Sequence, residues 1–78
     1  MTTLQLHSDA TGLVYYLDGK PVRVGDTIEV YLNGKWVTVR FGWTGSTRND
    51  PYGYPPNDET IVIITKYTHV RWPTSAMK

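Results

Sequence analysis

The chain of 78 residues contains no cysteine, which removes both a disulfide framework and a thiolate zinc site as sources of stability. It has no apolar run near the roughly 20 residues that cross a bilayer as a helix. The aliphatic run Ile61 to Ile64 is strand-sized. An excess of one charge is missing as well: eight Lys and Arg stand against seven Asp and Glu, interleaved, for a formal charge of +1. That is not the basic footprint that nucleic-acid binding usually needs. The opening residues, MTTLQLHSDA, lack the basic and apolar regions of a signal peptide, so a cytoplasmic location is expected. No membrane association is expected either.

What the chain does have is aromatic rings and turns. Three Trp, six Tyr and one Phe are a large share for so short a sequence, more than a small core needs if each large buried side chain contributes roughly 1.5–3 kcal/mol. Some rings are therefore free to serve at a surface. The organising stretch is Val24 to Trp43, VGDTIEVYLNGKWVTVRFGW, a β-hairpin about Asn33-Gly34 with apolar and polar residues alternating on both sides. A two-residue turn pairs Leu32 with Lys35, Tyr31 with Trp36, Val30 with Val37, Glu29 with Thr38, Ile28 with Val39 and Thr27 with Arg40. One face is then Ile28, Val30, Val37, Val39 and Phe41. The other carries Tyr31 beside Trp36, with a Glu29/Arg40 diagonal. A slip of one residue would send the apolar set into water, so the register is strongly specified.

The remaining chain reads as short strands and one long loop. Residues 1–12 form an extended N-terminal arm, an edge strand or a loose segment, in which Leu4 and Leu6 precede Ser8-Asp9-Ala10-Thr11-Gly12. Leu13 to Val24 is a first hairpin about Asp18-Gly19, pairing Leu13 with Val24, Tyr15 with Val22 and Leu17 with Lys20. Pro21 restricts its strand to an edge. Residues 44–59, TGSTRNDPYGYPPNDE, have no periodicity, and a structureless stretch of that length in a small domain is functional or mobile. Thr60 to Thr65 is a β-branched strand apolar on both faces, as expected of a strand covered on both sides or used between subunits. Residues 67–72 alternate once more, with Val70 and Trp72 on one face and Tyr67, His69 and Arg71 on the other. Residues 74–78 are expected to be a disordered tail. No helix is expected, and residues 13–73 are best accommodated as a five- to six-stranded antiparallel small barrel.

The run Val24-Gly25-Asp26-Thr27-Ile28-Glu29-Val30, then Trp36, Val39 and Phe41, resembles the skeleton of SH3-like small barrels. It is also similar to an uncharacterised bacterial and phage domain family with a GD-x-IEV...NGKWV segment. The resemblance covers residues 24–43 and implies an SH3-like barrel from a bacterium, phage or mobile element such as an integron cassette; it implies no function, because such barrels bind many things. A weaker similarity is to type II dihydrofolate reductases, plasmid- and integron-borne barrels with Gly25-Asp26, Trp36, Gly42-Trp43 and Gly53-Tyr54 in the same order. Those enzymes line a tetrameric pore with a Val-Gln-Ile-Tyr segment, where this chain has Ile-Val-Ile-Ile at residues 61–64.

Catalytic constellations are absent from the sequence. His7-Ser8-Asp9 offers the residue types of a relay, but consecutive residues do not adopt its geometry. His7 and His69 are isolated, so no metal signature exists, and GSTRND lacks the Lys of a phosphate-binding loop. A non-enzymatic binding module without cofactor is the expectation, holding a protein or peptide partner on an aromatic shelf of Tyr31, Trp36, Trp43, Tyr52 and Tyr54, with Arg40 as a charged contact. The competing expectation is that the long loop packs on Trp36 and Tyr31 to complete a small core. A second function class is a homodimer or homotetramer using residues 61–64 and enclosing a small-molecule site. Nucleic-acid binding ranks third.

Overall fold

A computed structural model describes residues 2–10, 12–56 and 60–73, and among them there is no helix. Among the described residues nine strands follow one another: β1 (Thr2–Thr3), β2 (Gln5–Asp9), β3 (Gly12–Leu17), β4 (Lys20–Val22), β5 (Thr27–Leu32), β6 (Lys35–Gly42), β7 (Tyr52–Tyr54), β8 (Val62–Ile63) and β9 (His69–Arg71). They form two antiparallel sheets, one ordered β1-β9-β5-β6-β7-β8 and one ordered β2-β3-β4. The protein is thus an all-β, barrel-like fold of two sheets around a shared core.

The central hairpin has the register that its alternation dictates, with all six expected pairs from Thr27–Arg40 to Leu32–Lys35. Asn33 and Gly34 both take positive φ, 50° and 82°, the geometry of the turn whose twist matches the flanking strands. Asp18 and Gly19 repeat it at 51° and 79°, and Tyr15–Val22 and Leu17–Lys20 pair around them. Pro21 lies on β4, an edge strand of its sheet, where its missing N–H costs no ladder bond.

The first hairpin ends earlier than its alternation implies. β4 stops at Val22 because the chain turns at Arg23–Asp26, where the Asp26 N–H bonds the Arg23 carbonyl at 3.0 Å and the Arg23 N–H bonds an Asp26 carboxylate oxygen at 2.9 Å. Gly25 holds φ 97° at the third position, which a turn of type II requires. The Gly25 N–H then donates to the Phe41 carbonyl and the Phe41 N–H to the Asp26 carbonyl. Two residues thereby oppose one, a bulge that turns the chain from one sheet into the other. Val24 is left exposed, and Leu13 pairs with Ser8 instead.

The N-terminal segment belongs to the fold rather than lying outside it. β1 pairs with β9 in one sheet and β2 with β3 in the other, so the chain crosses between sheets at Leu4, which is buried. Residues 44–59 are likewise not wholly a loop. β7 pairs with β6 through Arg40–Tyr54, Phe41–Gly53 and Gly42–Tyr52. The strand expected over Thr60 to Thr65 is reduced to β8, with Ile64 buried and Ile61 and Ile63 exposed. The tail expected at 74–78 lies outside the described residues.

The core consists of Leu4, Leu17, Val22, Ile28, Val30, Val39, Phe41, Ile64 and Val70. Across it, the Trp72 indole N–H donates to the Leu17 carbonyl at 2.8 Å, joining the end of β9 to the end of β3.

Candidate binding face

Pairing fixes which side chains share a surface, because directly opposed residues point to the same side of a sheet and successive ones alternate. Val30, Val39, Phe41 and Val70 point into the core. Tyr31, Trp36, Arg40, Tyr52 and Tyr54 therefore share the outer face of the six-stranded sheet, on the adjacent strands β5, β6 and β7. Thr38 and Glu29 lie among them.

The rings form two groups. Tyr31 and Trp36 meet edge to face with centroids 5.3 Å apart. Tyr52 and Tyr54 are tilted at 6.2 Å, and the Tyr52 ring covers the outer side of Gly42, where any Cβ would collide with it. Arg40 sits directly opposite Tyr54, exposed. From Trp36 to Arg40 is four residues of strand, roughly 13 Å.

Arg71 and Glu29 complete the first group. β9 pairs with β5 so that Glu29 faces Arg71; the Arg71 Nε donates to a Glu29 carboxylate oxygen at 2.6 Å, and the guanidinium lies over the Trp36 ring at 4.1 Å. The Glu29/Arg40 diagonal read from the hairpin is not formed, since Glu29 is engaged by Arg71. Arg40 is left with no carboxylate partner among the described residues. Nothing in the local sequence announces the Arg71 contact, because it depends on pairing between residues 42 positions apart.

Trp43 does not share this face. It continues the parity of Val39 and Phe41, packs edge to face on Tyr15 at 4.6 Å, and its indole N–H donates to the carbonyls of Ser46 and Asn49. It thus fastens the loop after β6 to the inner side. The alternation of residues 37, 39, 41 and 43 already carried that signal. Tyr31 and Trp36 are both half-buried.

The three tryptophans accordingly differ. Trp43 and Trp72 have their N–H groups bonded to backbone carbonyls, whereas the Trp36 N–H has no partner among the described residues. Of the histidines, His7 meets Tyr16 at 5.0 Å on the smaller sheet, whereas His69, paired across from Thr3, shares the parity of Arg71 and lies on the outer face. His7 and Ser8 are strand neighbours and point to opposite faces, so no relay forms. Among the described residues no group of three His, Cys, Asp or Glu is placed to hold a metal ion.

Comparison with protein-family models, with curated proteins and with solved structures gives no match. The reading of the face therefore rests on its own geometry.

Proposed function

We propose that the protein is a non-enzymatic binding module that takes a protein or peptide partner on the outer face formed by Tyr31, Trp36, Arg40, Tyr52 and Tyr54. The observation that supports this most is the contrast among the tryptophans: two have their N–H groups tied into the fold, and Trp36 lies on the outer surface with its donor unspent. Large half-exposed rings with an unpaired Arg have the composition of interface anchors. The two ring groups, about four residues apart along β6, match an extended segment with apolar side chains four positions apart and a carboxylate for Arg40. The SH3-like resemblance fits this reading, and the setting we infer is the cytoplasm of a bacterium, with the protein an accessory of the cell, a phage or a mobile element.

The test is selection from a displayed library of short peptides on the immobilised protein, with a Trp36→Ala, Tyr54→Ala double variant as counter-screen. Peptides that bind the protein and lose the variant, and that contain an acidic residue between two apolar ones, support the proposal. Selection of no peptide, or of peptides that bind both proteins alike, refutes it.

A second reading has its own observation. β8 pairs with β7, no strand covers its other edge among the described residues, and Ile61 and Ile63 are 54% and 56% exposed. An edge without charge, proline or bulge is open to pairing with another chain. Copies joined there, two or four of them, would make the homodimer or homotetramer with a small-molecule site between subunits. Light scattering over a concentration series separates the two, a monomer excluding the second. Nucleic acid remains third, since of the two arginines on the face, Arg40 and Arg71, the second is already paired with Glu29.

A further inference from the structure

The two sheets do not close on each other everywhere. Between β2 and the segment leading from β8 to β9, a cleft of about 510 Å³ opens, within the roughly 300–1,000 Å³ usual for small-molecule sites. Its walls are apolar: Leu4, Leu6, Tyr15, Pro51 and Ile64. Leu6 is 41% exposed although it lies on the core side of its sheet with Tyr15, because it borders this opening. This cleft faces away from the ring groups of the outer face.

Two charges border it, and they differ in position. Lys66 and Tyr67 occupy the tip of a turn fixed by Thr65 and Thr68, whose backbone and hydroxyl groups bond one another. The Lys66 ammonium lies over the Tyr67 ring at 5.2 Å, out on a residue that is 76% exposed. Asp50 has no ion-pair partner among the described residues, and its charge acts on the Tyr15 hydroxyl within the cleft, adding to the burial that holds that proton on. Among the described residues Asp50 is the one carboxylate lining the cleft, and it lies close enough to Tyr15 for its charge to be felt there, so a cation seated between the two has both a counter-charge and an aromatic neighbour.

We propose that this cleft is a binding site for a small organic amine with an apolar body, the ammonium beside Asp50 and the body against Leu4, Leu6 and Ile64. The Tyr15 hydroxyl supplies a neutral hydrogen-bonding group next to the carboxylate. An anion of the same shape meets Asp50 as a like charge, and a neutral analogue gains the apolar contacts alone.

The test uses a matched series, n-hexylamine, hexanoate and hexanol, titrated into the isotopically labelled protein while the amide signals of Leu6, Tyr15 and Ile64 are followed. One charge-assisted contact is worth about tenfold in affinity, so hexylamine should bind about tenfold more tightly than the alcohol, and hexanoate more weakly than either. Asp50→Asn should remove the preference for the amine and leave hexanol binding unchanged. Equal binding of the three, a preference for hexanoate, or shifts that avoid these three residues would overturn the proposal. Should Asp50→Asn fail to fold, the ranking of the three probes on the unaltered protein still decides.

Discussion

Arg71 makes two contacts at once, its Nε bonded to Glu29 at 2.6 Å and its guanidinium 4.1 Å above the Trp36 ring. The arrangement joins β9, β5 and β6 on their outer side and sets the plane of the indole. An ion pair of this exposure is worth about 0.2–1 kcal/mol and the stacked cation about 0.5–1 kcal/mol. Arg71→Ala should therefore lower the stability by about 1–2 kcal/mol in urea unfolding. Arg71→Lys should restore less than half, because a point charge does not reproduce the planar stack. Full recovery by lysine would show that the stack contributes nothing.

The turn at Arg23–Asp26 gives a second expectation. Gly25 at φ 97° permits the bulge opposite Phe41, and a residue with a Cβ held there costs about 1–3 kcal/mol. Asp26→Ala removes the acceptor for the Arg23 N–H and should cost about 0.5–1.5 kcal/mol, with Asp26→Asn recovering part of it. Chemical denaturation of the three variants checks the order, Gly25→Ala worst and Asp26→Asn mildest.

Close packing supplies a third. Gly53 stands opposite Phe41, and a Cβ added there falls on the side chain of Val39, a core residue that has no room to yield. Gly53→Ala should lose about 1–3 kcal/mol by overpacking, and Gly53→Ala with Val39→Ala should recover a measurable part of that loss. A double variant no better than the sum of the singles would contradict the contact.

Alkaline pH provides a fourth. The Tyr15 hydroxyl is raised above the ordinary tyrosine value of 10.0, by burial first and by the charge of Asp50 second. The folded state then binds more protons than the unfolded state in that range. Stability tied to this group is intact below the ordinary value and is lost as pH climbs from there through the raised one. The urea midpoint should fall more steeply above about pH 10 in the unaltered protein than in Tyr15→Phe, with Asp50→Asn in between. Superimposable profiles would remove Tyr15 as the cause.

The parts of this fold legible in the sequence are those settled by neighbours. Both two-residue turns, Asp18-Gly19 and Asn33-Gly34, set the register of their strands, and alternation along residues 27–41 assigned the core face. What was hidden depends on distant pairing. Tyr52–Tyr54 is a strand because β6 offers it an edge, yet Pro51, Gly53 and Pro55 make it read as loop. Leu4 is core because two sheets meet around it, which a lone Leu in a polar segment does not reveal. On the face, Tyr31, Trp36 and Arg40 followed from the hairpin; Arg71 did not, since its place depends on β9 joining β5. Trp43 is close in sequence to the loop that carries Tyr52 and Tyr54, yet its parity with Phe41 sets it on the inner side against Tyr15.

The measurement that bears most directly on the binding face is urea unfolding of Trp36→Ala beside Trp72→Ala, followed by titration of the first with peptides selected on the unaltered protein. If Trp36 is displayed rather than spent on the fold, its variant loses about 1–2 kcal/mol, the ring pair and the stacked cation, keeps a native amide spectrum and no longer binds the peptides. Trp72→Ala, deprived of its bond to Leu17 and of buried ring surface, loses about 3–5 kcal/mol. Unfolding of Trp36→Ala, or a folded variant that binds the peptides undiminished, would contradict a binding role for this face.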